Sequence, residues 1–466
     1  MSTIHNLIVQ GQLKNDDKEI SVTLHYSLSD DSSSSINCTI IPDPKVAFKI
    51  DNSTTFRGTS SDGEEIWASE FNQISSTHTY KNSQTTWQCI AGIFIKGNLE
   101  SLEFSDKKII CSFTIPSTPL ALNNKHYTLS SDGTITINSN VKLQKEIEWN
   151  TPFGKAILKD NYTYEDSAER SKTLIRTRRY QIAFDVKKKG VFSLNTFLLE
   201  VDEYLKDIVW LVSFLSKKRI NWYKAKAIVI PTKEGDEFKS IIAYKQNWLG
   251  YEQDREREKQ WFELLVSEKS LRDGLFQDLV IGYEASPYRV IIQQTLPFVI
   301  TSYEQGYFEA HLANIYTALE TLIAGLSPED DSDVGLLLSN QEYKKLTKKI
   351  RQLLLENIQN KDIIHSVFNK LPELKRRPIL EKLLTLLDRH RVPVEMLFTA
   401  EQDSAKELKE ILQRRNEFIH RGKFDDIEKY FHDLALLRNL VELWILKLLN
   451  CPDEAINKRS LRGLFQ

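Results

Sequence analysis

The sequence predicts an α+β multidomain chain with three parts: an N-terminal antiparallel β sandwich or barrel-like region, a mixed α/β extension, and a C-terminal all-α helical bundle. Three observations predict this. The first 150 residues alternate apolar and polar side chains in short runs broken by Ser, Asn, Asp and Gly. After Pro297 the alternation gives way to apolar residues spaced three and four apart, the period of a helix face. At 466 residues the chain also exceeds what one ordinary core accommodates. The expected boundaries are 1–150, 151–300 and 301–466.

Within the first part, Ile20 to Tyr26, Val46 to Ile50, Ile109 to Ile115 and Thr134 to Ile137 carry the period-two pattern and are expected as strands. Such a sheet must bury one face, hence a sandwich or open barrel. Ser29 to Ser35 reads as a solvated turn. Trp67, Trp87 and Trp149 lie in alternating apolar runs and are expected as core rather than as a sugar- or protein-binding platform. In the second part, Arg179 to Val186 and Ala225 to Ile230 look like strands. Leu194 to Ser216 repeats Phe197, Val201, Tyr204, Ile208, Leu211 and Leu215 at helical spacing, so a helix packed on a sheet is expected. Whether this part stands alone or continues the first is left open by the pattern.

In the third part, a helix over Tyr303 to Leu326 is ended by Gly325 and Pro328 and followed by an acidic loop, Glu329 to Asp333. Gln341 to Asn357, Arg377 to Arg389, Ser404 to Ile419 and Phe424 to Leu449 read as further helices. Their short connections suit an antiparallel bundle.

Composition excludes several classes of function. Hydrophobic residues make up 41% and charged residues 27%, as in a globular protein, and the net charge of -2 gives no global nucleic-acid signature. No run approaches the roughly 20 apolar residues needed to cross a bilayer, and the N-terminal residues lack the pattern of a secretory signal. A cytoplasmic protein without membrane association is expected. Four cysteines, Cys38, Cys89, Cys111 and Cys451, form no C-x-x-C pair, so neither a structural zinc nor a disulfide framework is expected. The histidines show no metal-ligand spacing, and no glycine-rich phosphate loop is present. No metal and no cofactor are expected. Charge is local: Gln341 to Lys423 holds 19 Lys and Arg against 12 Asp and Glu, which favours an anionic partner there.

The informative segment runs from Gln413 to Gly422. Asn416 and His420 are four apart and share a helix face. Arg415 lies about a quarter turn away, within reach of the same patch, and Gly422 supplies the helix stop. Cutting RNA without a metal needs a group that exchanges protons near neutral pH, and histidine suits by its ordinary pKa. The nucleophile can be the RNA's own 2′-hydroxyl. A guanidinium pairs two phosphate oxygens and stabilises charge developing on phosphorus. An Arg four to six residues before a His is expected about once by chance in this chain, but Asn directly after that Arg lowers the expectation to roughly a few hundredths. The plain alternative is a helix end with a capping histidine and an ion pair to Glu417 or Asp425.

Arg415-Asn-Glu-Phe-Ile-His420 resembles the R-N-x-x-x-H motif of HEPN domains, and the helical stretch from about Ser302 to Asn450 has the length and helix number of that superfamily. With its strand-rich first half, the chain resembles the Apea-like anti-phage HEPN proteins. That closer resemblance rests on Thr55 to Gly63 and on Leu194 to Ser216. The resemblance implies a HEPN helical bundle acting as an endoribonuclease in abortive-infection defence, with Arg415, Asn416 and His420 catalytic. It implies a homodimer that cuts RNA, a transfer RNA loop among the expected targets, leaving 2′,3′-cyclic phosphate and 5′-hydroxyl ends. A phage-derived trigger would act through the N-terminal region. Glu320 is the candidate supporting residue on the first long helix, with Tyr316 one turn before it expected as packing. Arg414, Arg421, Arg376 and Arg377 are the candidate RNA-binding rim. The alternative is a non-catalytic bundle that binds RNA or a partner protein.

Overall fold

A computed structural model describes residues 4–16, 18–29, 36–42, 48–51, 53–79, 84–99, 101–104, 108–115, 127–129, 135–137, 147–166, 174–186, 190–231, 239–245, 264–304, 306–327, 334–398, 402–421 and 426–458. The chain divides into two compact units. The first comprises Met1–Val212, Ile220–Phe262 and Glu268–Gln277, the second Ser213–Arg219, Glu263–Ser267 and Asp278–Gln466. Most of the Ser29 to Ser35 turn, the acidic loop Glu329 to Asp333, and Gly422 and Asp425 lie outside the described residues.

In the first unit, β1 (Ile4–Lys14), β2 (Glu19–Ser29), β3 (Asn37–Pro42), β4 (Thr55–Ser60), β5 (Glu65–Thr79) and β6 (Gln84–Gly97) pair in the order β6-β3-β2-β1-β4-β5. The β5–β6 pairing closes the ring, so the region is an antiparallel barrel rather than a sandwich. β5 is long enough to pair with both β4 and β6, and its register against β6 shifts between Gln73 and Ser75, where one residue is extra. The barrel is filled by Val9, Leu13, Val22, Leu24, Phe56, Ile66, Phe71 and Phe94. Gly11 faces Gly58 across β1 and β4, and a Cβ at Gly58 would stand 2.5 Å from the Gln10 carbonyl and 2.6 Å from the Phe56 ring. That close approach explains a glycine inside the Thr55 to Gly63 segment. Gly63, at φ 80°, makes the turn into β5.

The sheet does not stop at residue 150. Beyond β6 it continues through β16 (Lys239–Lys245), β15 (Lys224–Ile230), β8 (Lys108–Ile115), β13 (Leu174–Val186), β12 (Gly154–Asp166) and β11 (Ile147–Thr151). Strands of the mixed segment therefore extend the N-terminal sheet. Two small pairs, β7 (Ser101–Phe104) with β14 (Gly190–Ser193) and β9 (Tyr127–Leu129) with β10 (Ile135–Ile137), stand apart. Helix α1 (Leu194–Leu215) carries Phe197 and Tyr204, whose rings meet Phe153 edge-on at 5.8 Å. The expected strand at Val46 to Ile50 is not formed over its described residues, 48–50. Its alternation is satisfied by burial alone: Ile50 is buried and Phe48 packs 6.3 Å from Trp87. Trp87 and Trp149 are buried as expected of core, whereas Trp67 is only half-buried, and Trp149 stacks edge-on against Phe276 at 5.0 Å.

The helices that follow are α2 (Phe276–Ala285), α3 (Arg289–Thr301), α4 (Phe308–Leu326), α5 (Asn340–Asn357), α6 (Lys361–Lys370), α7 (Ile379–Arg389), α8 (Ser404–Arg421) and α9 (Ile427–Leu448). Helix thus begins earlier than the expected residue 301, and Pro297 lies inside α3 instead of marking a boundary. Ile292, Leu296, Val299 and Ile300 of α3 are buried, and this packing outweighs both the lost proline N–H and the β-branched composition. Helix α9 runs through the core of the second unit, with Leu440, Val441, Leu443, Trp444 and Ile445 fully buried. Among the described residues, no helix is long and apolar enough to cross a membrane.

Candidate active site

Three helices of the second unit build the site. Helix α8 presents Arg414, Arg415 and Asn416 in consecutive positions, each rotated about 100° from the last, so neighbouring arginines must face different surroundings. The structure divides them. Arg414 turns to α9, where its Nε and Nη2 donate to the two carboxylate oxygens of Asp433, both at 2.7 Å. Asp433 has no solvent exposure. Glu410, one turn before, adds a second carboxylate 3.6 Å from Arg414, and the Tyr430 hydroxyl donates to the Arg414 carbonyl at 3.4 Å. The hydrogen bonds to Asp433 raise the Arg414 pKa above its ordinary value. Arg414, expected at an RNA-binding rim, is occupied in clamping α8 to α9.

Arg415 turns to α4. Its Nη2 forms an ion pair with Glu320 and its Nη1 donates to Asn416 Oδ1 at 2.8 Å. The guanidinium is about one-fifth exposed, and burial lowers its pKa from the ordinary value while the Tyr316 hydroxyl opposes that shift. Arg415, Asn416 and Glu320, far apart in sequence, are thereby assembled on one patch. Arg415 pairs with Glu320 and not with Glu417; Asp425, the other partner expected of a plain helix end, lies outside the described residues.

Tyr316 lies one helical turn before Glu320, on the same face of α4. It is buried, and its hydroxyl finds no hydrogen-bond partner among the described residues. Its ring sits 6.3 Å from that of Phe418 on α8. Burial, with Asp433 nearby, pushes the hydroxyl well above its ordinary pKa, so it remains a neutral donor. Sequence reasoning overlooked Asp433. The trace it left is faint: an acidic residue directly before the apolar run from Leu434 to Leu437, where a carboxylate that is buried needs a partner.

His420 and Arg421 belong by their backbone to the last turn of α8, and their side chains lie outside what is described. Arg377 donates from Nε to the Leu336 carbonyl at 2.9 Å and stands 3.7 Å from Glu381. Arg376 is exposed, and its backbone bridges to Leu336. Among the described residues, no group of three or more His, Cys, Asp or Glu is arranged to hold a metal ion. The four cysteines are buried and free, and burial pushes the Cys38, Cys89 and Cys451 thiols up to about 12. Comparison with protein-family models, curated proteins and solved structures gives no match.

Proposed function

We propose that this chain is a HEPN-type endoribonuclease of anti-phage defence that cuts RNA without a metal. The observation that carries the reading is the assembly of Arg415, Asn416 and Glu320 by two helices, with the guanidinium partly exposed at the patch where the R-N-x-x-x-H segment ends α8. Arg415 is the group that would bind the scissile phosphate, with two donors that match two phosphate oxygens. Glu320 and Asn416 hold its fork in a fixed orientation. His420 would accept the 2′-hydroxyl proton as that oxygen attacks phosphorus. The bond from phosphorus to the 5′-oxygen breaks, and the leaving oxygen takes up a proton. The products are a 2′,3′-cyclic phosphate and a 5′-hydroxyl, with no water consumed. In this reading two copies of the chain pair their motifs, and the N-terminal barrel unit senses a phage-derived trigger or keeps the nuclease silent.

A second reading is favoured by one specific contact. Arg415 is already engaged by Glu320 and Asn416, as in a bundle that binds RNA or a protein without cutting. End-group analysis separates the two. The chain is incubated with total RNA in excess chelator and the products are probed for cyclic phosphate, alongside Arg415→Ala and His420→Ala. Cyclic-phosphate ends from the parent and their loss in both variants are expected. Full cleavage by either variant overturns the assignment of the active site.

A further inference from the structure

Resting on the ribonuclease reading, we infer that α5 is a docking platform for the phosphate backbone of the RNA, separate from the arginines of the motif. The start of this helix is firmly set. Ser339 caps it, accepting from the Glu342 N–H at 3.3 Å while the Glu342 carboxylate accepts from the Ser339 N–H at 3.0 Å. Beyond the cap it is packed sparsely, and Thr347 is its one buried residue.

Lys344, Lys345, Lys348 and Lys349 are all exposed; Lys345 and Lys349 lie on the side opposite Thr347, and Lys344 and Lys348 lie between that side and Thr347. Lys344 stands one turn before Lys348, and Lys345 one turn before Lys349, so the helix stacks like charges at the spacing that destabilises it. None of the four has an ion-pair partner within 4 Å among the described residues. Arg351 extends the first row and is held over the Phe368 ring of α6 at 5.2 Å. From Asn340 to Arg377 the sequence has ten Lys and Arg against four Asp and Glu. Natural helices relieve such repulsion with alternating acidic residues; here Glu342 acts on Lys345, and Lys344, Lys348 and Lys349 have no acidic residue three or four positions away.

Charge complementarity identifies the occupant as a polyanion with regularly spaced charges. Arg414 and Arg377 do not serve this purpose, because Arg414 is committed to Asp433 and Arg377 to Leu336 and Glu381. The exposed Leu346 and Leu353 lie, at about 100° per residue, on the other side of the helix from the Lys344–Lys348 row, and the exposed Leu355 follows that row two turns beyond Lys348. The two rows of exposed ammonium groups match phosphates spaced along a nucleic-acid backbone.

The test measures binding of the full chain to a single-stranded 2′-O-methyl RNA, which lacks the attacking hydroxyl and is not cut, across a salt series. The variant carries Lys344→Ala, Lys345→Ala, Lys348→Ala and Lys349→Ala, changes that favour helix. Each phosphate contact contributes about 0.7 to the salt slope of single-strand binding, so a loss of roughly 2 to 3 in slope and at least about tenfold in affinity is expected. Replacing the same four lysines by arginine should restore both. Unchanged slope and affinity in the alanine variant overturn the platform, as does a parent chain that binds an acidic polypeptide but not RNA. Absence of cyclic-phosphate ends from unmodified RNA, with the lysine-dependent binding intact, refutes the nuclease and leaves the platform standing.

Discussion

Replacing Arg414 by alanine should destabilise the helical unit far more than replacing its neighbour Arg415. Asp433 has no solvent exposure, and two of its hydrogen bonds, both at 2.7 Å, come from Arg414. Removing the guanidinium leaves a carboxylate in the interior without those donors. Breaking a buried ion pair in this way costs about 3–5 kcal/mol. Arg414 is itself 18% exposed, so water can reach part of the site and the lower end of that range applies. For a unit of roughly 150–250 residues this corresponds to about 6–12 °C in Tm. Arg415 and Glu320 are 21% and 40% exposed, and pairs of this kind contribute about 0–1 kcal/mol. Urea unfolding followed by tryptophan fluorescence reports the contrast, because Trp444 lies in the core of the same unit. Arg414→Ala within about 0.5 kcal/mol of the parent, or Arg415→Ala costing as much as Arg414→Ala, would refute the division of labour between the two arginines.

Two further outcomes are expected. Glu320→Ala should lower RNA cleavage by roughly 10- to 100-fold through loss of the fixed Arg415 orientation while changing unfolding free energy by less than about 1 kcal/mol; single-turnover kinetics beside urea melts check both, and unaltered cleavage removes Glu320 from the site. His390, packed edge-on to Tyr288 at 5.3 Å and near Trp444, has its pKa lowered by burial and then by Arg389. His311 is lowered likewise, by burial and then by Arg438. The unfolded chain then binds more protons than the folded one in acid. The stability these neutral rings contribute is complete above the unfolded histidine value near 6.5 and declines as pH falls through it toward the folded values. Melts between pH 8 and pH 5 should show that decline, and His390→Gln should flatten it; a decline of the same size in the variant would be evidence against His390.

Sequence alone determined the class of each segment wherever local pattern and tertiary burial agree. Leu194 to Ser216 is α1 to within a residue, and Ile109 to Ile115 alternates buried and half-buried positions along β8, because one periodicity governs both conformation and burial. The place of Arg415 and Asn416 on one helix was legible for the same reason, while the His420 side chain lies outside the described residues. Tertiary structure decided what spacing cannot encode. Barrel closure depends on β5 meeting β6, the mixed segment joins the sheet through pairs distant in sequence, and Pro297 is carried inside α3 by its buried neighbours. It also decided the fate of two adjacent arginines. One residue of helical rotation sends Arg414 into a buried carboxylate and Arg415 to Glu320 at a partly open patch, and those partners lie 19 and 95 positions away along the chain.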